Sequence, residues 1–381
     1  MRQALIASAT RSPIGRAGKG SLRDVRPDDL AADLVRSAVH QSGVDPELIE
    51  DLIVGTAYPE AKQGSNLGRR LVPLAGLPIH IPGTTVNRFC ASSLQAIRMA
   101  AHAIRAEEAD AMIACGVESV SMTGRGTRDE DKHPALTADG LADMYISMGM
   151  TAENVAAQYD VSRADMDAFA LRSHRLAIAA QDDGTTAREI TPVTRADGTE
   201  VTTDDGPRRG TSLDALAGLA PAFTEHGSVT AGNSCPLNDG AAATVIVSDR
   251  FASAHELPVR ARIVATSVSG IAPEIMGVGP IEAVRRVLDA GGMRISDIDA
   301  IEFNEAFAAQ VLATARETGM DIDAQVNLRG GSIALGHPFG MSGARLVTTL
   351  LTTLEEVDGT IGLATMCVGG GQGMALLVER V

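Results

Sequence analysis

The chain has 381 residues, 45% of them apolar and 21% charged, the balance of a folded globular protein rather than a disordered or fibrous one. That length exceeds the usual span of one hydrophobic core and predicts two domains or two fused halves. The net charge of −15 excludes nucleic acid as the main partner, because such a binder needs a basic face. An anionic small ligand needs only a local basic patch and stays admissible.

Short apolar strands alternate with amphipathic helices, which predicts a largely parallel sheet with helices on its faces. A strand near Ala4–Ser8 precedes a helix over about Asp28–Gln41, with Leu30, Leu34, Ala38 and Val39 as its apolar stripe and Gly43 as its stop. A strand over Leu52–Ala57, a helix near Asn66–Leu74 and a strand ending near Asn87 follow. A helix from about Ala91 to Ala106 leads to a strand over Ala111–Cys115. Residues 119–228 break this rhythm with more charge, Gly, Thr and Asp, and hold one clear helix over Arg163–Ala180, capped by Ser162. They read as an insertion, and long insertions in compact α/β proteins commonly serve as lids or ligand-binding elements. The strand Ala242–Ser248 returns to the first half, so that half comprises residues 1–118 and 229–250, and Asp249–Pro258 is a linker.

Residues 259–381 repeat the order. A strand near Arg260–Val268, a helix over Ile281–Ala290, a strand over Ala300–Phe303 and a helix over Glu305–Thr318 come first. A turn after Leu328–Ile333, a helix over Met341–Glu355 and closing strands near Ile361–Met366 and Met374–Glu379 complete it. The order and spacing amount to an internal duplication of a unit of roughly 120 residues.

The four cysteines, Cys90, Cys115, Cys235 and Cys367, are far apart and form no CxxC pair, which argues against a zinc site or a disulfide framework. The apolar part of the first residues is too short for a signal peptide, and no run of about 18 apolar residues exists. The expectation is a reduced, cytoplasmic protein with no metal and no membrane span.

Cys90 stands where a strand ends, the chain turns and a helix begins. A thiol at a helix N-terminus sees the positive end of the macrodipole, which is expected to lower its pKa. His337 occupies the equivalent turn of the second half, amid small residues that let a neighbour come close. Equivalent turns in two packed halves would face each other as a Cys–His pair suited to thiolate activation. Cys367 opens a glycine-rich turn after a strand. That turn is either a tight link between strands or a source of bare N–H groups for an oxyanion. It leads into a strand, so it is no dinucleotide fingerprint. Asn304 lies at a strand-to-helix junction, where it could cap the helix or hold a water or carbonyl oxygen.

Together these segments resemble the thiolase family over essentially the whole chain. The resemblance rests on VNRFCASSLQA at 86–96, CGVES at 115–119, MGMTAENVA at 148–156, AGNSCPLNDGAAA at 231–243, NEAFA at 304–308, GHP at 336–338 and CVGGG at 367–371. It implies an α/β fold of duplicated βαβαβαββ halves in αβαβα layers, with residues 119–228 as a loop domain that holds coenzyme A (CoA). It implies Cys90 as the nucleophile that takes the acyl group, His337 as its activating base and Cys367 as the second acid/base. One oxyanion hole would comprise Asn304, through a water, and His337. The other would comprise the backbone N–H groups of Cys90 and Gly369. Arg208 falls at the position that meets the nucleotide end of CoA, and Ala231 and Cys235 fall on the pantetheine path.

The activity so implied is cleavage of 3-ketoacyl-CoA with CoA, in fatty-acid or related acyl-chain breakdown. CoA and acyl-CoA are then substrates rather than resident cofactors, and a homodimer or homotetramer is expected. A short-chain acetyl-CoA acetyltransferase is the close alternative. A ketoacyl synthase would need His where Cys367 stands, and a non-catalytic scaffold would have lost the four site residues. Two departures bear on substrate length. Ser147 stands where short-chain members usually carry His, and Cys235 stands where a hydroxyl is common.

Overall fold

The strand-then-helix rhythm is realised twice. The computed structural model describes residues 2–123 and 127–381. In the first half the neighbouring strands run Gly83–Val86, Asp51–Gly55, Ala111–Ser119, Asn238–Ser248 and Ala4–Arg11. In the second half they run Ala300–Phe303, Ile361–Val368, Gln372–Arg380 and Ala261–Gly270. Here the outermost strand has shrunk to a single parallel bridge between Ile301 and Val326. The senses agree position by position: two parallel pairings, then two antiparallel ones. The halves join where Leu5 and Ile6 pair antiparallel with Arg262 and Ala261, which makes one ten-stranded sheet.

The layers follow from which helices pack against both half-sheets. The helices Ser92–Arg105 and Ser342–Glu356 share one core with residues from both half-sheets, such as Ile6, Ile246, Met366 and Leu376. The second is buried from Ser342 to Leu354, as a helix between two sheets must be. The helices Pro27–Ser42 and Leu67–Leu74 cover the first half-sheet. Gly279–Gly291 and Ala308–Thr318 cover the second. Helix, sheet, helix, sheet, helix is the five-layer order expected. Helix stops are as read: Gly43 ends its helix in the left-handed region at φ 69°, where glycine carries no Cβ penalty.

Residues between Ser119 and Asn238 leave the sheet but not the core. Ser162 Oγ accepts from Asp165 N at 3.1 Å and so caps the helix Arg163–Asp182. Val155, Met166 and Phe169 pack in the same cluster as Phe303 and Ala306. The buried Arg11 guanidinium reaches over to Glu189 and Asp204, each at 2.8 Å. Among the described residues, no helix is long and apolar enough to cross a membrane.

Candidate active site

Cys90 sits in the turn four residues beyond the edge strand Gly83–Val86 and two residues before the helix Ser92–Arg105. The turn is strained. Phe89 is held at φ 43°, a region that costs a bulky residue on the order of 1–3 kcal/mol. Side chains hold it there. Phe89 N donates to Asn87 Oδ1 at 2.7 Å, and Ser92 Oγ donates to Phe89 O at 2.6 Å. Arg88 donates to Gln372 Oε1 at 2.7 Å, and Gln372 Nε2 donates to Gly369 O at 3.1 Å. The turn is thereby tied to the glycine loop that follows Cys367.

The expected low pKa of Cys90 is not found. Burial and the nearby Cys367, Cys235 and Glu118 push the thiol well above its ordinary value, and only the Gly369 N–H pulls it down. A helix N-terminus is too weak to offset a desolvated site with other acidic groups around it. The Cys90 thiol is therefore neutral, and any role as a nucleophile would need a base.

His337 follows Gly336, whose φ of 114° and 2.5 Å clearance to the Asn238 amide exclude any side chain. The loop is pinned to the first half. Glu118 Oε2 accepts from Gly340 N and from Ala57 N, each at 2.8 Å. Ser93 N donates to Gly340 O at 3.2 Å. Equivalent turns of the two halves thus meet, as the duplication predicts. Among the described residues, no hydrogen bond joins Cys90 Sγ to His337 directly. They meet instead at Phe339, which lines the Cys90 cavity and stands edge-on to the imidazole at 5.1 Å between centroids.

The hydrogen-bond network fixes the imidazole tautomer. Asn304 Nδ2 can only donate, so His337 Nε2 accepts from it, Nδ1 carries the proton and donates to Ser342 Oγ at 2.5 Å, and Ser342 Oγ donates to Pro338 O at 2.7 Å. The Nε2 lone pair is left facing Asn304 Nδ2 at 3.2 Å. Burial, reinforced by Arg345, pushes the His337 pKa down to about 3, so the ring is neutral at physiological pH. Asn304 is no helix cap. The helix expected from Glu305 begins at Ala308 with Phe307 at its N-cap, and the Asn304 amide turns inward.

Cys367 ends the strand Ile361–Val368 with its thiol donating to Gln310 Oε1 at 2.9 Å. Burial pushes its pKa up to about 12, so it holds a proton that it can donate. The loop beyond it carries Gly370 and Gly371 at φ 74° and 75°, which only glycine adopts freely.

Two cavities meet this region. One, of about 1010 Å³, has Cys90, Gly369, Ser147, Met148, Tyr58 and Phe339 in its wall. The other, of about 660 Å³, brings Arg208, Ala231 and Cys235 together with Arg16 and Lys19. Among the described residues, Arg16, Lys19 and Arg208 have no carboxylate partner, so three unpaired cations face one cavity of an acidic chain. Arg128 and Lys132 lie instead on the Cys90 cavity, each paired with an acidic neighbour. Arg125 lies outside the described residues. Among the described residues, no cluster of three or more His, Cys, Asp or Glu could hold a metal.

Sequence reasoning missed Gln310, Ser332, Ser342, Arg345 and the two cations Arg16 and Lys19. One signal was present: Arg345 is a lone charge inside the apolar run of a helix, and a buried Arg requires a partner.

A protonated thiol in the wall of one cavity, a second protonated thiol near enough to act on its charge and a buried neutral imidazole behind Phe339, beside a second cavity lined by cations, make a site suited to sulfur-centred acyl transfer from a phosphate-bearing thioester. The comparisons agree. Residues 4–250 match the N-terminal domain and residues 257–380 the C-terminal domain of thiolase. The chain is 44% identical to the beta-ketoadipyl-CoA thiolase of Acinetobacter baylyi and 43% identical to the 3-ketoacyl-CoA thiolase of Bacillus subtilis, with all of each chain covered. It superposes on the crystal structure of the Bacillus anthracis acetyl-CoA acetyltransferase with a TM-score of 0.92 and 38% identity, over 100% of this chain and 99% of that one. The chain belongs to the thiolase family, acyltransferases that cleave or form 3-ketoacyl-CoA thioesters.

Proposed function

We propose that this chain works as a 3-ketoacyl-CoA thiolase through a Cys90 acyl-enzyme. The observation that carries the reading is a protonated thiol at Cys90 and a neutral His337, brought near each other at Phe339, with the Nε2 lone pair turned toward Asn304. His337 Nε2 takes the Cys90 proton, and the thiolate attacks the 3-keto carbon. The bond between carbons 2 and 3 then breaks. Its electron pair leaves as the acetyl-CoA enolate, which Cys367 protonates at carbon 2. An incoming CoA thiol gives its proton to the Cys367 thiolate and attacks the thioester. Cys90 leaves and recovers its proton from His337. The oxyanions that form meet His337 Nε2–H with Asn304 on one side, and the Cys90 and Gly369 N–H groups on the other. Arg208, Arg16 and Lys19 hold the phosphates of CoA, and Ala231 and Cys235 flank its pantetheine arm. We take residues 1–118 with 229–250 as one half, 259–381 as the other, and 119–228 as the CoA-binding loop domain. A thiolysis assay with acetoacetyl-CoA and CoA tests the reading. Turnover supports it, and none with any 3-ketoacyl-CoA refutes it.

A second reading concerns the acyl tail. The Cys90 cavity is apolar near Phe89, Phe339 and Met148 but carries Arg128 and Lys132 elsewhere in its wall. Both cations are already paired with acidic neighbours, and Glu60 and Asp131 share the wall, so an acyl chain ending in a carboxylate, rather than a long plain alkyl chain, rests on the name of the Acinetobacter relative. Thiolysis rates for matched chains with and without the terminal carboxylate separate the two. The condensing direction, as in an acetyl-CoA acetyltransferase, uses the same groups in reverse and is set by metabolite levels. Among the described residues the edge strand Gly83–Val86 has no outer partner in the sheet, which supports pairing of two chains there in a cytoplasmic homodimer or homotetramer. Sedimentation equilibrium gives the state.

A further inference from the structure

Behind His337 and Asn304 lies a buried polar chain that the mechanism above does not use. Arg345 NH1 pairs with Glu302 Oε2 at 2.9 Å, with both side chains 1% exposed. Arg345 NH2 donates to Ser332 Oγ at 2.8 Å. Ser332 Oγ in turn donates to Asn304 Oδ1 at 2.6 Å. Arginine can only donate, so it occupies a lone pair of the serine and directs the single hydroxyl proton toward Asn304. The amide oxygen is thus claimed on the far side, and the NH₂ end is left to face His337.

The two ends of that amide have opposite consequences. With Nδ2 inward, proton transfer to His337 Nε2 leaves two N–H donors side by side, aimed at one space. That is what a developing oxyanion needs. With Oδ1 inward, the amide oxygen would accept and consume the Nε2–H bond, and Nδ2 would point away toward Ser332, so neither donor would be free to face that space. The reversed amide would also set Nδ2 and Arg345 as two donors against one hydroxyl. The Ser332 proton would then lose its acceptor, at the cost of a buried unmet group.

We propose that Ser332, itself held by Arg345, is a positioning residue that fixes which end of the Asn304 amide faces His337. The proposal rests on the thiolase reading for its kinetic consequence but not for its structural one. Ser332→Ala removes the only described partner of Asn304 Oδ1 without adding bulk. The amide is then free to turn its oxygen toward Nε2. That shifts His337 toward the Nε2–H tautomer and lets Ser342 Oγ donate to Nδ1.

The test has two arms on the full chain. In the resting enzyme, ¹⁵N shifts of labelled histidine should report the Nδ1–H tautomer of His337 in wild type and a mixture or the reverse tautomer in Ser332→Ala. In thiolysis of acetoacetyl-CoA, Ser332→Ala should lose about 10²-fold in kcat, the scale of one oxyanion donor, with KM for both substrates within about twofold. Ser332→Cys, which keeps a weak donor of similar size, should fall between. A wild-type kcat in Ser332→Ala, or His337 shifts unchanged by it, would overturn the proposal. Equal losses in kcat and in CoA binding would also overturn it, because they mark a general loosening of the site. A wild type without thiolysis that still shows the tautomer switch would sink the functional reading and support the clamp.

Discussion

Ser147 has two jobs, and separating them tests how the acyl cavity is built. It lines the Cys90 cavity, and its Oγ accepts from Met150 N at 3.3 Å as N-cap of the helix Met148–Gln158. Ser147→Ala removes the cap alone and should cost about 1 kcal/mol of local stability, read as faster amide exchange in the first turn of that helix. Ser147→His removes the cap and adds an imidazole to the cavity. Each methylene that the ring keeps out forfeits about 0.8 kcal/mol, roughly a fourfold change in relative kcat/KM, so two methylenes amount to about fifteenfold. Met144 and Met148 also stand in that wall, yet the cavity still measures about 1010 Å³, room for several carbons beyond acetyl. The assay is thiolysis across 3-ketoacyl-CoA chain lengths for wild type and both variants. Wild type should prefer chains longer than acetoacetyl-CoA, Ser147→Ala should keep that profile, and Ser147→His should flatten it. A wild type that cleaves acetoacetyl-CoA best, with rates falling steadily from four carbons upward, would refute the open cavity and favour the acetyltransferase reading.

Three further outcomes follow from the site. Arg208→Ala should raise KM for CoA with little change in acyl-enzyme formation, and the defect should shrink as salt screens the contact; an unchanged KM would move the phosphate site elsewhere. Alkylation of Cys90 by iodoacetamide should keep accelerating above pH 9, since burial raises its pKa; a plateau near pH 7 would show a thiolate already formed. His337 is held neutral in the fold, with burial lowering its pKa to about 3 from its ordinary value of 6.5. The unfolded chain therefore binds a proton that the folded one refuses, and stability should fall as pH drops from about 6.5 toward 3. His337→Gln should remove part of that slope, and an identical slope in the variant would contradict the assignment.

The parts of this account that were legible in the sequence are those written in local pattern. Alternating apolar runs gave the doubled topology, and the strand–turn–helix setting singled out Cys90 and His337. What was illegible depends on what packs around a group. The helix N-terminus at Cys90 is a sequence-level cue to a low pKa, but burial, helped by Cys367, Cys235 and Glu118 from distant segments, reverses it. Asn304 reads locally as a helix cap. Only the approach of Ser332 and His337, 28 and 33 residues further on, makes it an oriented donor. The third strand of the second half is reduced to one bridge at Val326, which no period in the sequence marks. Ser147 could be read as lost bulk, but its capping bond needed the helix start to be known to the residue.

The central claim is that Cys90, and no other thiol, carries the acyl group. The direct measurement is peptide mass spectrometry of the enzyme quenched after mixing with an acyl-CoA, for wild type and Cys90→Ser. Wild type should carry the acyl mass on the peptide that contains Cys90, and Cys90→Ser should carry none or turn over far more slowly. Cys115 and Cys367 are both buried, and their pKa values are pushed up to about 12. Acyl mass on the Cys367 or Cys115 peptide, with Cys90 unmodified, would contradict the account and reverse the roles assigned to the two site thiols.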